Sequence, residues 1–214
     1  MDTAETTRAT PLSGRRAQAK RNDQRVLDAA RAVFTTDPDA PIAAVAERAG
    51  VGISVLYRRY RSKDELLQRL SLDGLQRYVT EVEAALADTG DPWSAFATFM
   101  RRAVDAGTGS LTLRFAGNFT AGEELYRLGR TAYEATQQLL DRTKAAGALR
   151  DDIAVSDLSL IFEQLQAVRV ADQQRTDQLR QRYLALLLDA MRAPATTPLP
   201  GPPPQWEEIT RRYG

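Results

Sequence analysis

Between Pro41 and Tyr60 the chain has room for two helices of about two turns each, and the Gly50-Val51-Gly52 step between them leaves little freedom in how they meet. Pro41 suits the first turn of the earlier helix, whose apolar face is Ile42, Val45, Ala46 and Ala49. Gly50 then falls where a helix end calls for positive φ, and Val51 is placed to make the apolar contact that accompanies such a cap. Gly52 keeps the turn tight, and Ile53, Leu56, Tyr57 and Tyr60 supply the inner or lateral face of the next short helix. Ala46 and Ala49 are small enough to let the two helices approach closely.

What flanks this turn is basic. Arg58, Arg59, Arg61 and Lys63 cluster at its far end, and Arg8, Arg15, Arg16, Lys20, Arg21 and Arg25 load the segment before it, although the formal net charge is only +1. The distribution of charge, not its sum, is what points to nucleic acid. Two short helices joined by a glycine turn, with arginines on the second, form a helix-turn-helix, in which the second helix enters a DNA major groove while its flanks hold phosphates. Residues 1–19 lack apolar periodicity and read as a disordered basic arm. A first helix over 21–36 carries Val26, Leu27, Ala30, Val33 and Phe34 and stops at Asp37-Pro38-Asp39. Ser62 and Glu65 form a capping box that starts a fourth helix at Lys63, running to about Ala87, whose N-terminus offers backbone N–H groups to a phosphate.

The rest of the 214 residues is also helical in pattern. Gly90-Asp91-Pro92 stops one helix and caps another to about 106; a short helix is predicted over 111–119, and Leu125 to Leu140 mark a long one ending at Gly147. Ser156 is placed to cap a helix carrying Leu158, Ile161, Phe162, Leu165 and Val168, and Leu179, Tyr183, Leu186, Leu187 and Met191 carry the last. With no strand-like alternation of useful length, the predicted fold is all-α. It divides into the arm (1–19), a three-helix DNA-binding domain with its helix-turn-helix (20–68), a larger C-terminal helical domain for ligand binding and dimerisation (69–193), and a proline-rich tail (194–214). APATTPLPGPPP at 193–204 reads as an extended loose tail, and the alternative, a docked segment, rests on the amphipathic pattern of the WEEITRRYG that follows.

Several function classes are excluded or weakened. The chain has no cysteine and no histidine, which removes disulfides, thiolate or imidazole metal sites and imidazole acid/base chemistry, so neither metal nor cofactor is expected. Glu123-Glu124 and Asp151-Asp152 read as a helix start and a turn, not as a catalytic pair, and the expectation is that the chain is not an enzyme. LALLL at 184–188 is too short to span a bilayer and no apolar segment follows the N-terminal arginines, so the expected location is cytoplasmic, with no membrane partner.

At AERAGVGISVLYRRYRSKDELL the sequence resembles the signature of the TetR family of transcriptional regulators in its spacing, turn glycine, Leu56-Tyr57, Lys63 and Leu66; the resemblance covers residues 22–70. It implies that Tyr57 hydrogen-bonds a phosphate, that Lys63 contacts another, and that Gly52, Ile53, Ser54 and Arg58 lie at base edges or nearby phosphates. The chain departs from the pattern at Pro41, where a threonine often caps the second helix, at Val55, where threonine or serine is common, and at Tyr60, where phenylalanine is usual. Arg59 stands where histidine is common and is expected to add phosphate affinity.

The resemblance further implies a homodimer on a two-fold double-stranded DNA operator and a small-molecule effector held by the C-terminal domain. Candidate interface residues are Leu158, Ile161, Leu165, Tyr183, Leu187 and Met191, each of which alternatively fills the protomer core. Candidate pocket residues are Phe96, Phe99, Met100, Phe115, Phe119, Tyr126, Tyr133, Phe162 and Gln166, with Trp93, Arg114 and Asn118 nearby; such apolar walls suit an apolar or amphipathic ligand. The ligand would favour one helix arrangement and, through the fourth helix, lower DNA affinity. The rival from another class is a sequence-tolerant nucleoid-type protein, against which the near-neutral charge argues.

Overall fold

A computed structural model describes residues 11–37, 39–107, 122–205, 208 and 209, with side chains at Gln18 and from Arg21 onward. Phe115, Phe119, Arg114, Asn118, the helix expected over 111–119 and the side chains of Arg8, Arg15, Arg16 and Lys20 lie outside the described residues. Among those described there are eight helices and no strand, in agreement with the all-α expectation. The chain divides into two compact units, Met1–Leu66 and Leu67–Gly214.

The first unit holds α1 (Pro11–Thr36), α2 (Ile42–Ala49), α3 (Ile53–Arg59) and the start of α4 (Lys63–Ala87). Helix α1 starts ten residues before the expected position, and residues 11–19, expected as an unstructured arm, have helical backbone. Their lack of apolar periodicity does not oppose this: alanine, arginine and lysine are good helix formers, and a helix already packed from Val26 onward extends at low cost. Val26, Leu27, Ala30 and Phe34 from α1 meet Ile42, Val45, Ala46 and Ala49 from α2 and Leu56 and Tyr60 from the α3 end, all buried. Each large apolar side chain buried in this way contributes about 1.5–3 kcal/mol.

Pro41 occupies the N-cap position of α2, one residue before the expected first turn. At the other end Gly50 adopts φ +66°, its N–H donates to the Glu47 carbonyl at 3.1 Å, and the Val51 N–H donates to the Ala46 carbonyl at 3.0 Å. This is the paired closure of a left-handed helix cap, and it ends α2 after eight residues. Arg25 adds a further donor, its Nη2 lying 3.2 Å from the Ala49 carbonyl. At the start of α4 the Glu65 N–H donates to Ser62 Oγ at 3.1 Å, as the box predicts, while the Glu65 carboxylate reaches back to the Arg61 N–H at 2.7 Å, one residue earlier than the reciprocal arm of a standard box.

The second unit comprises the remainder of α4, α5 (Pro92–Ala106), α6 (Glu123–Ala145), α7 (Val155–Ala167) and α8 (Gln173–Met191). Asp91 caps α5 as predicted, accepting from the Ser94 N–H at 2.8 Å. Ser156 does not cap α7; Ala154 is the N-cap residue, and its N–H is taken by the Asp157 carboxylate at 2.8 Å. Val155 is buried, and starting the helix there lets it join the core. Around the core, α5 packs against α6, α7 and α8. Arg142 of α6 holds the end of α4 by donating to the carbonyls of Ala85, Leu86 and Asp88 at 2.9–3.0 Å.

The tail is docked, which corrects the expectation of a loose segment. Arg150 forms a two-pronged ion pair with Asp152 and donates from Nη2 to the Thr197 carbonyl at 2.7 Å, while Asp152 accepts the Leu199 N–H at 2.9 Å. The Ala193 N–H reaches the Ala148 carbonyl, Arg192 stacks 4.4 Å from the Trp93 ring centroid, and Ile209 is buried. The Arg150 guanidinium, with the Leu199 N–H, holds the Asp152 carboxyl well below the usual carboxylate range. Among the described residues no helix is long and apolar enough to cross a membrane.

Two outcomes are expected. Because the lowered Asp152 pKa keeps the carboxylate charged, it stabilises the docked tail above the ordinary carboxylate pKa, and that stabilisation is lost only as pH falls through the lowered value; Asp152→Ala at neutral pH should abolish hydrogen-exchange protection of the Leu199 amide, and retained protection would mean that the tail is held elsewhere. Gly50→Ala places a side chain at positive φ, where its Cβ would meet Arg25 Nη2 at 3.7 Å, an ordinary contact, so its cost is conformational, about 1–2 kcal/mol, and exchange of the Val51 and Leu56 amides should accelerate roughly tenfold.

Candidate nucleic-acid interface

The seven residues of α3 sort by side. Leu56 and Tyr60 turn inward, whereas Ile53, Ser54, Tyr57, Arg58 and Arg59 are exposed, together with Gly52 before them and Arg61 after. The expected inner-or-lateral face thus splits: Tyr57 is 50% exposed and Ile53 41%, so neither belongs to the core. Val55, in the place of the common hydroxyl residue, is also exposed, at 47%. One solvent-facing surface therefore carries small, apolar and cationic groups beside a phenolic hydroxyl, the mixture that base edges and phosphates require. Lys63 is partly buried, with its ammonium 5.2 Å from the centre of the Phe34 ring. It stands at the first turn of α4, where backbone N–H groups add partial positive charge.

A residue not singled out in the sequence organises the end of this surface. Asp23 of α1 accepts a hydrogen bond from the Tyr60 hydroxyl at 2.6 Å through Oδ1, and the same oxygen pairs with Arg59 Nε at 2.5 Å. The Tyr60 hydroxyl is thereby given the partner that a buried phenol needs. Burial first, and the neighbouring Asp23 carboxylate second, push the Tyr60 phenol up to about 12, so it stays a donor at any physiological pH. The Asp23 carboxylate likewise raises the Arg59 guanidinium. Arg59, expected as an additional phosphate ligand, is paired with Asp23 within its own unit while 44% of its side chain stays exposed. Asp23 lies more than thirty residues from both partners, so no local spacing announces the cluster.

In the second unit the expected pocket residues divide. Phe96, Phe99, Met100, Phe162 and Gln166 are buried together, with Tyr78 meeting Phe99 and Phe162 edge-on at 5.3 and 6.1 Å. Gln166 donates to the Val104 carbonyl at 3.0 Å, and the Tyr78 hydroxyl lies 3.0 Å from Thr136 Oγ1. Tyr126 and Tyr133 do not join them: they are 71% and 51% exposed, because the buried stripe of α6 runs through Leu125, Ala132, Ala135 and Leu139, one residue out of phase. The expected interface residues divide as well. Leu158, Leu165 and Met191 fill the chain's own core, whereas Tyr183 is exposed and Ile161 and Leu187 are partly so. Ile161 and Leu187 line a shallow groove of about 260 Å³ with Leu160 and with Leu199 from the tail.

The comparisons with known proteins agree on a lineage. The family model of bacterial regulatory proteins of the tetR family matches residues 26–70, and that of the C-terminal domain of SbtR-like transcriptional regulators matches residues 91–193, together more than half of the chain. Among solved structures, a TetR transcriptional regulator from Streptomyces coelicolor is 25% identical with a TM-score of 0.56, covering 80% of this chain and 99% of its own. A TetR regulatory protein from Mycobacterium vanbaalenii is 25% identical with a TM-score of 0.55, covering 83% and 99%. LfrR from Mycobacterium smegmatis, a TetR-like regulator solved in complex with proflavine, shares the fold at 22% identity and a TM-score of 0.56, covering 77% and 95%. No curated protein matches the sequence. The chain belongs to the TetR family of bacterial transcriptional regulators, a family of DNA-binding proteins and not of enzymes, and its helix-turn-helix is α2 and α3.

Proposed function

We propose that the protein is a cytoplasmic homodimeric repressor that reads a pseudo-palindromic operator with α3 and the start of α4 and is released by a small apolar or amphipathic molecule. The observation that carries the DNA reading is the sorting of α3 and its C-cap, which buries Leu56 and Tyr60 and leaves Ile53, Ser54, Tyr57 and Arg58 outward. Gly52, Ile53 and Ser54 lead into the groove, Tyr57 and Arg58 serve phosphates or base edges, and Lys63 serves a phosphate from the start of α4.

Dimerisation is assigned to α7 and α8. Tyr183 and Leu186, 46% and 58% exposed, stand beside the partly exposed Ile161 and Leu187, an apolar surface that a second copy would cover. Two copies are needed to cover a two-fold operator, whose half-sites lie roughly 34 Å apart, one turn of the duplex. The effector site is assigned to the core around Phe96, Phe99, Met100, Phe162 and Gln166. A relative of like fold, LfrR, has been seen with proflavine, which supports an apolar or amphipathic ligand for this site. The Tyr78, Phe99 and Phe162 rings are in edge contact, so a ligand must part them, and that rearrangement is the differential binding that would lower DNA affinity.

Fluorescence anisotropy against DNA from immediately upstream of the protein's own gene should exceed that against scrambled DNA by about a thousandfold or more. Tyr57→Phe should cost roughly threefold to tenfold in operator affinity, one hydrogen bond, with the salt slope unchanged; unaltered affinity would remove Tyr57 from the phosphate contacts. In sedimentation at micromolar concentration the wild type should run as twice its 23.7 kDa mass, and Leu186→Arg should shift it towards monomer without lowering its melting temperature. A monomeric wild type would defeat the assignment.

A further inference from the structure

The Asp23 cluster does more than seat a buried hydroxyl. Tyr60 is neutral, and an amide oxygen would satisfy its donor as well as a carboxylate does. The negative charge of Asp23 is therefore used on Arg59, whose Nε shares the same Oδ1. Arg59 keeps 44% of its side chain exposed and follows Arg58 directly, at the end of the helix assigned to the major groove, while the Asp23 side chain is only 16% exposed. An ion pair of this kind offers DNA little net charge.

We propose that Asp23 is a specificity-determining residue of the DNA-binding unit: by pairing with Arg59 it withdraws that guanidinium from phosphate binding and holds down affinity for DNA of arbitrary sequence. The inference rests on the reading of α3 as the DNA-contacting helix. Its physical basis is counterion release. Each cation that neutralises a phosphate releases condensed counterions and strengthens binding to every sequence alike, steepening the dependence of affinity on salt by about 0.9 for each contact. Such a term raises operator and random affinity together and so contributes nothing to discrimination. A carboxylate that is largely shielded, already bonded to Tyr60 and anchored on a different helix is well placed to compete with a phosphate for Arg59. If Arg59 leaves, the Tyr60 bond still holds Asp23 in position.

The test uses the full-length chain and a random-sequence 20-base-pair duplex in anisotropy titrations over a salt series. Asp23→Asn keeps an acceptor for Tyr60 and removes the charge. It should bind the random duplex more tightly than wild type, with a salt slope steeper by about 0.9 for each Arg59 that reaches a phosphate. Arg59→Gln should leave the wild-type slope nearly unchanged and, in the Asp23→Asn background, return the slope to the wild-type value. That conditionality separates the proposal from the general effect of deleting a surface carboxylate. Should Asp23→Asn fold poorly, the Asp23→Asn/Tyr60→Phe pair, which has no hydroxyl to satisfy, gives the same comparison. Equal slopes for wild type and Asp23→Asn, or an equal loss from Arg59→Gln in both backgrounds, would overturn the proposal while leaving the DNA-binding reading intact. If neither protein bound the random duplex or the upstream DNA at low salt, the assignment of α3 to DNA would itself fall, and the proposal with it.

Discussion

The DNA-binding unit depends on one backbone conformation, the left-handed turn at Gly50. It closes α2 after two turns, satisfies the carbonyls of Ala46 and Glu47, and redirects the chain so that α3 starts three residues later. Only then do Leu56 and Tyr60 fall under α1 while Ile53, Ser54, Tyr57 and Arg58 fall outside. Were α2 to run on, the same residues would continue one helix and the sorting of faces would be lost. Glycine is required here because an added Cβ would meet no clash in space but would be strained by the dihedral angle alone.

Around that turn the polar interactions act at helix ends. Arg25 donates to the last turn of α2, Asp23 holds the end of α3, and Ser62 and Glu65 close the start of α4. The second unit repeats the pattern, with Arg142 on the end of α4 and Asp91, Asp157 and Asp172 on the first turns of α5, α7 and α8. A helical protein leaves its unsatisfied backbone groups at helix termini, so those are the places where charged side chains stabilise most. Two of the arginines beside the helix-turn-helix, Arg25 and Arg59, are among those that bond within the fold.

The second unit shows how a shared apolar stripe can serve either of two purposes. Leu158, Leu165 and Met191 have the same composition as a dimer face and lie on the same helices, yet they are buried by α5 and α6 within one chain. On α6 a shift of one residue, about 100° around the helix, separates the buried Leu125 and Ala132 from the exposed Tyr126 and Tyr133. Residue type grouped Tyr126 and Tyr133 with Phe96, Phe99 and Phe162; the phase of α6 leaves the two tyrosines exposed while the three phenylalanines are buried.

Much of this protein was legible in its sequence because the governing interactions are local. The Gly50 cap, the Asp91-Pro92 start, the Ser62 and Glu65 box and the 3.6-residue periodicity all act within a turn or two of chain, and they determined the all-α class, the helix-turn-helix and most helix ends. The early start of α1 escaped because residues 11–19 carry no apolar periodicity to announce a helix. The tertiary structure alone decided which face of each long helix is buried, that Arg59 and Tyr60 meet Asp23, and that the proline-rich tail is held by Arg150 and Asp152, whose partners Thr197 and Leu199 lie 47 residues away. Those contacts join residues that no helical period relates, and only the folded backbone brings them within bonding distance.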